Sequence, residues 1–277
     1  RSDEYGGSVE NRVRLLRELI EEVKNAVGDT CAVAVRFCAD DGYARNNTIH
    51  DGDVPQVEEQ KEMLIILAEL PDLCDLNVSD YTFEMGSSRF VKEASLENYV
   101  SYVKSITSNP VVCVGRFTSP NTMVAQVKSG IVDLIGAARP SIADPSLPNK
   151  INEGREDEIR ECIGCNICYA HDNRIAPIRC TQNPTMGEEW RRDWHPEKIG
   201  PKKSDDEILI ICAGPAGMEA AVSLGNRGFD VYLAETMRER GGRISKESML
   251  PTLSEWKRVY EYRFIQLEKM DNVEVYR

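Results

Sequence analysis

The sequence predicts an α/β fold in three consecutive parts: the C-terminal half of a (β/α)8 TIM barrel over residues 1–150, a cysteine-bearing connector over 151–203, and the truncated start of a Rossmann-like domain over 204–277. Three observations predict it. Short apolar strands alternate with amphipathic helices through the first part. The alternation then breaks in a stretch dense in charge, proline and cysteine, and it resumes at Glu207.

Residues 11–27 set Val13, Leu15, Leu16, Leu19, Ile20 and Val23 at helical spacing with charges between them, and Gly28 follows as a terminator. Residues 31–37 form a short, β-rich apolar run of the kind a parallel sheet buries on both faces. The pattern repeats as a helix over 57–70, a strand over 73–78, a helix over 96–106 and a strand over 111–114. Ser119 and Pro120 supply an N-cap and a first-position proline for a helix reaching Lys128, and 132–135 is the next strand. Such alternation gives right-handed βαβ units. A complete barrel takes roughly 250 residues, so this stretch is half of one, with a small open sheet as the alternative.

The chemistry at the strand ends favours the barrel. Gly115-Arg116 follows the third strand and Gly136-Ala-Ala138-Arg139 the fourth. Small residues there let backbone N–H groups approach an anion while arginine supplies a planar fork, so both turns suit a phosphate. Arg36, at the end of the first strand, adds a third cation to the same rim. Ordinary turns with solvated charges, and a surface salt bridge for Arg36, are the competing readings.

Composition narrows the function classes. The chain has 277 residues, 41% of them apolar, enough to bury a core; 34 basic against 46 acidic side chains give a net charge of −12. That field repels polyanions, which excludes nucleic acid and anionic membranes as partners. No apolar run approaches the ~20 residues of a membrane span. Nine cysteines in so long a chain fit a reducing cytoplasm rather than a disulfide scaffold. The missing initiating Met and signal segment read as processing or truncation, hence a fragment.

Cys31, Cys38, Cys74, Cys113 and Cys212 are scattered, whereas Cys162, Cys165, Cys168 and Cys180 form a group. Three thiolates at three-residue steps wrap one corner of a cubane and a fourth from a later loop closes it, which points to a 4Fe-4S centre. Zinc is the competitor, although four-cysteine zinc sites come as two CxxC pairs. From 204 onward, residues 208–211 read as a strand, 214–227 as turn and helix, and 230–234 as a second strand ending at Glu235. Gly214 and Gly217 sit where a dinucleotide fold needs glycines for pyrophosphate approach, and Glu235 stands where an acid binds ribose hydroxyls. Cys212 occupies the place of the usual first glycine. Gly241-Gly242-Arg243 offers a second phosphate contact or a plain loop.

The opening run from Arg1 to Arg12, the Val-Gly-Arg116 and Gly-Ala-Ala-Arg-Pro140 turns, the Cys162 to Cys168 triplet and Ala213-Gly-Pro-Ala-Gly217 together resemble the multidomain branch of the old yellow enzyme family. That branch includes trimethylamine, dimethylamine and histamine dehydrogenases and the 2,4-dienoyl-CoA and 2-enoate reductases. The stretch from Cys180 to Lys198 is most similar to the amine dehydrogenases. The resemblance implies FMN at the barrel mouth, the 4Fe-4S cluster beside it, and ADP or FAD in the following domain. It implies Arg36 at the pyrimidine edge of the flavin, Gly115, Arg116, Ala138 and Arg139 at the FMN phosphate, and Cys162, Cys165, Cys168 and Cys180 on the cluster. Gly214, Gly217 and Glu235 would hold the adenine nucleotide. It further implies a homo-oligomer acting on a small molecule, with an electron-transfer flavoprotein or NAD(P)H as redox partner.

The chain departs from the family's pattern near the substrate. Asp172 stands where the trimethylamine enzyme has an aromatic residue shortly after the third cluster cysteine, and the loop after residue 78 offers Tyr81 and Phe83. Glu84 falls roughly where the family has a carboxylate and is the candidate catalytic or substrate-binding acid, with an exposed loop acid as the competing reading. His50, His171 and His195 read as loop residues without a catalytic match, and the family's proton-transfer His and Tyr belong to a preceding half. The main expectation is an FMN and 4Fe-4S amine oxidoreductase passing electrons outward. The alternatives are an NAD(P)H-dependent enoate-type reductase running the other way, and a non-catalytic electron-relay module or inactive fragment.

Overall fold

The computed structural model describes residues 3–40, 57–78, 88–191, 197 and 199–276. Glu84, Tyr81, Phe83, His50 and His195 lie outside the described residues. The chain divides into two compact units, one formed by Arg1–Ser87 with Glu93–Ala137, the other by Ser88–Lys92 with Ala138–Arg277.

In the first unit, α1 (Val9–Val27) starts at Ser8, whose hydroxyl accepts the Asn11 N–H, and ends at Gly28, whose φ of 53° a side chain would resist. Then come β1 (Ala34–Asp40), α2 (Val57–Leu67), β2 (Leu73–Val78), the short α3 (Glu97–Val100), β3 (Val111–Val114), α4 (Pro120–Lys128) and β4 (Leu134–Gly136). The four strands are parallel and lie in the order β1-β2-β3-β4. Parallel strands in sequential order are the arrangement found within a barrel, and α1, α2 and α3 pack on one face of this sheet.

The alternation of side chains then sorts the sheet into a helix-covered row and an opposite row. Phe37, Ala39, Cys74, Leu76, Val111 and Cys113 are buried against Val13, Ile20, Leu64, Leu67, Val100 and Val103. Arg36, Cys38, Asp75, Val112 and Val114 alternate to the other side. At the strand starts, Asp72 accepts the Val33 N–H and the Lys24 ammonium, both at 2.8 Å, and Asp133 likewise takes the Val111 N–H and Lys104. Each lysine first, then each amide, holds its carboxyl below the ordinary range. These contacts register the ends of the strands opposite to the predicted phosphate turns.

The second unit carries α5 (Ala138–Ala143), α6 (Leu147–Asn152), α7 (Ile167–Asn173), β5 (Ile208–Ile211), α8 (Pro215–Asn226), β6 (Val231–Ala234), α9 (Arg243–Glu247), α10 (Arg258–Glu268) and β7 (Val273–Tyr276). The last three strands form a parallel sheet in the order β5-β6-β7. Met218, Ala221 and Val222 of α8 and Leu267 of α10 close its core over Val231 and Leu233. Fully buried Asp144 accepts Lys150 Nζ at 2.6 Å and the Arg160 N–H at 2.8 Å, tying α5 and α6 to the chain that enters the cysteine segment. His171, read as a loop residue, lies instead inside α7, with Nδ1 3.0 Å from the Pro177 carbonyl. Among the described residues no helix is long and apolar enough to cross a membrane.

Candidate cofactor sites

At the C-terminal ends of the first sheet, register brings Arg36 opposite Asp75, and Arg36 Nε donates to Asp75 Oδ2 at 2.6 Å. One of five guanidinium N–H groups is used there, and the side chain stays 59% exposed on the row away from the helices. After β3, Gly115 is buried so tightly that a Cβ would stand 3.0 Å from the Phe117 ring and 3.3 Å from Ala94 Cα. Arg116 next to it is 3% exposed and left-handed, with φ 53°. A non-glycine residue in that region is strained, and the surrounding packing must over-determine it.

The turn is held by a residue the sequence did not single out. Glu93 Oε2 accepts the N–H groups of Thr118 at 2.8 Å and Ser119 at 3.1 Å, and Oε1 accepts the Thr122 hydroxyl at 2.9 Å. The anion-loving N-terminus of α4 is thereby occupied by a protein carboxylate. Gly136 closes β4 where a Cβ would press on Val114 Cγ1 at 2.9 Å. Ala138 and Arg139 open α5 in the second unit, where Arg139 donates to the Asn166 side chain. Arg36, Gly115 and Arg116 thus belong to one unit and Ala138 and Arg139 to the other.

All four grouped cysteines lie in the second unit, each outside any disulfide and of intermediate exposure. Backbone N–H groups approach two of the sulfurs: Gly164 N is 3.5 Å from Cys162 Sγ and Gln182 N is 3.3 Å from Cys180 Sγ. Cys165 Sγ lies 3.2 Å from the Thr181 hydroxyl. Burial raises the Cys168 thiol pKa, and the nearby Cys165 and Cys180 raise it further, so these three share one neighbourhood. Among the described residues no three Cys, His, Asp or Glu side chains converge closely enough to hold a single metal ion. The segment bends at Gly164, φ 64°, where a Cβ would meet the Arg89 nitrogen at 2.7 Å, and at left-handed Asn166. Outside the group, burial pushes Cys74 up to about 11 and Cys113 up to about 12, so both remain neutral core thiols.

In the turn from β5 into α8, Cys212 adopts φ 87° and keeps the left-handed turn despite its side chain. Gly214 caps α8, and a Cβ on Gly217 would collide with the Cys212 carbonyl oxygen, so only glycine fits there. Glu235, 7% exposed, receives the Ala213 N–H on Oε2 and the Met237 N–H on Oε1, both at 2.8 Å. Those amides, Met237 first, hold its carboxyl below the ordinary range. Each oxygen retains a further acceptor position. Gly241 N donates to the Ala213 carbonyl at 3.0 Å and brings the second glycine pair against the first: a Cβ on Gly242 would lie 3.3 Å from Gly214 Cα.

A sequential parallel sheet with helices on one face, glycine-lined strand ends and a following cysteine segment define an α/β protein similar to TIM-barrel oxidoreductases. The chain belongs to the NADH:flavin oxidoreductase / NADH oxidase family, whose model matches residues 1–158. It is 44% identical to dimethylamine dehydrogenase of Hyphomicrobium sp. (strain x) over 274 residues, 98% of this chain and 36% of that protein. Among the solved structures that cover the whole chain, two are close to half identical to it or more. The 6-hydroxypseudooxynicotine amine oxidase from Pseudomonas geniculata N1 matches with TM-score 0.88 and 52% identity, and histamine dehydrogenase from Rhizobium sp. 4-9 with TM-score 0.90 and 48% identity. The chain spans 40% and 39% of those two proteins, respectively.

Proposed function

We propose that the protein to which this chain belongs binds FMN, a 4Fe-4S cluster and an adenine nucleotide, ADP or FAD, and oxidises an amine. The observation that carries the reading is the sulfur set: Cys162, Cys165, Cys168 and Cys180 lie in one unit outside any disulfide, and two of them have a backbone N–H at the sulfur. Similarity to three proteins named for amine substrates supports the substrate class. The division into residues 1–150, 151–203 and 204–277 follows the same three roles.

When bound, the flavin would accept a hydride equivalent from the amine and release electrons singly through the cluster to a carrier such as an electron-transfer flavoprotein. The chain's own residues bind and orient. Arg36, steadied by Asp75, presents its remaining N–H groups to the pyrimidine edge, where a cation stabilises negative charge. Gly115 and Arg116 in the first unit would approach the phosphate by backbone and guanidinium, and Ala138 and Arg139 are the phosphate candidates of the second unit. Cys162, Cys165, Cys168 and Cys180 ligate the cluster. Gly214 and Gly217 admit the pyrophosphate to the N-terminus of α8, and Glu235 turns its remaining acceptor positions to the ribose. Glu84 is the candidate acid for the substrate.

The test is anaerobic purification of the full-length protein with iron, sulfide, flavin and nucleotide analysis, followed by titration with NADH and then methylated amines. Iron and sulfide in 4Fe-4S proportion with FMN and ADP, bleached by amines alone, is the expected result. FMN plus FAD bleached by NADH would replace it with the NAD(P)H-dependent enoate-type reductase. Zinc without iron would overturn both.

A further inference from the structure

Helix α10 ties both ends of the cysteine segment. At its start Arg258 pairs with Glu161, the residue before Cys162. Just past its end Lys269 reaches Asp157 Oδ2 at 2.8 Å and Glu158 Oε1 at 3.1 Å. The tie between them differs in kind because it is buried. Arg263 is 3% exposed. Its Nη1 donates to Gln182 Oε1 at 3.1 Å and to the Val259 carbonyl at 2.6 Å, and its Nη2 donates to the Gln182 carbonyl at 3.4 Å. Nε stands 2.8 Å from Glu219 Oε2 on α8, an ion-pair contact without hydrogen-bond alignment. Gln182, itself 5% exposed, directs its N–H at Cys180 Sγ. A guanidinium is retained away from water only where an opposite charge and hydrogen bonds compensate it, and a helix contact needed for packing alone is met as well by apolar side chains.

We infer that Arg263 is a positioning residue for the cluster ligand Cys180: its fork grips Gln182 by side chain and backbone and keeps the Gln182 N–H on the sulfur. The inference rests on the 4Fe-4S reading proposed above. Hydrogen bonds to sulfur and charge near a cluster set its reduction potential, and outer partners hold the ligands in place. A buried cation favours the reduced, more negative state, so removing it lowers the potential. Lysine keeps the charge but has no planar fork to span Gln182 Oε1, the Gln182 carbonyl and the Val259 carbonyl together.

The experiment compares full-length wild type with Arg263→Met, Arg263→Lys and the exposed control Lys257→Met, all purified anaerobically. Iron content, the rate of iron loss to a chelator and the cluster midpoint from an EPR-monitored redox titration are the readouts. Arg263→Met is expected to move the midpoint negative, and Arg263→Lys to keep it near wild type while losing iron about tenfold faster. Lys257→Met is expected to change neither. Should the methionine variant fail to fold, the lysine variant decides by its rate of iron loss. An iron-replete wild type whose Arg263 variants match it in midpoint and iron loss overturns the assignment alone. A wild type without iron and sulfide overturns the cluster reading and the assignment with it.

Discussion

The turns after β3 and β5 both place a side-chain-bearing residue in left-handed backbone, Arg116 at φ 53° and Cys212 at φ 87°, and both are gripped by a carboxylate from elsewhere in the chain. They differ in what the carboxylate takes. Glu93 captures the amides that lead into α4, filling the anion-loving end of that helix. Glu235 captures Ala213, on the strand side of its turn, and Met237 beyond β6. Both of those amides lie outside α8. A glycine and a helix start therefore do not by themselves make a phosphate site; it matters whether the protein has already supplied the negative charge. By this comparison the start of α4 is already supplied with negative charge by Glu93, whereas Glu235 binds amides on either side of α8 rather than at its start.

Substitutions can break the comparison, and the largest effect is expected at Gly217. Gly217→Ala forces a methyl group into the Cys212 carbonyl and should cost about 3 kcal/mol of unfolding free energy and abolish adenine-nucleotide binding. Gly200→Ala, with nothing within 4 Å of its Cβ, should leave both unchanged in denaturant melts and nucleotide titrations. Next is the pair of carboxylates. Glu93→Gln should lower stability by about 2 kcal/mol, as loss of a good cap does, with nucleotide affinity unmoved. Glu235→Gln should weaken nucleotide binding about tenfold by isothermal titration, a loss of about 1.4 kcal/mol. Equal effects of the two on nucleotide affinity would erase the distinction.

Smaller still is Cys212→Gly, which relieves the left-handed strain and should stabilise by about 1 kcal/mol without loss of nucleotide binding. The pH dependence sharpens the same point. The Glu235 carboxyl is depressed by the Met237 and Ala213 amides. Its contribution is therefore complete above the unfolded carboxylate value of about 4.3 and is lost as pH falls through its folded pKa. Melts from about pH 7 to about pH 3 should show a shallower acid limb for Glu235→Gln than for wild type.

Residue spacing made the chemistry-bearing groups legible. Cys162, Cys165 and Cys168 announce themselves at three-residue steps, and the strand over 73–78 and the helix over 120–128 stand as read. Where contacts are distant in sequence, the reading stops. Glu93 meets Thr118 from 25 residues away and Arg263 meets Gln182 from 81, and neither leaves a periodic trace. The helix read over 96–106 is interrupted: α3 ends at Val100 and a 3-10 turn follows over Val103–Ser105, where Ser105 Oγ turns back to the Tyr102 carbonyl. Apolar spacing is satisfied by either backbone, so periodicity could not separate them. The first strand starts at Ala34 rather than 31, because the Val33 amide goes to Asp72. Helix α10 and strand β7 lie beyond the last element that the sequence pattern marks. Glu84 falls outside the described residues.

The assignment of Ser88–Lys92 to the second unit, while the chain on either side belongs to the first, bears on how such a protein can be inherited or recombined. Arg89 donates its N–H to the Gly164 carbonyl at 2.7 Å and lays its guanidinium 6.0 Å from the Trp256 ring. A gene boundary drawn between Ala137 and Ala138 would leave this five-residue finger on the wrong piece. The cysteine segment would then lose the backbone partner of its tightest bend. Exchange of one half for a foreign counterpart thus requires the newcomer to bring its own finger, which restricts recombination to relatives that already share it.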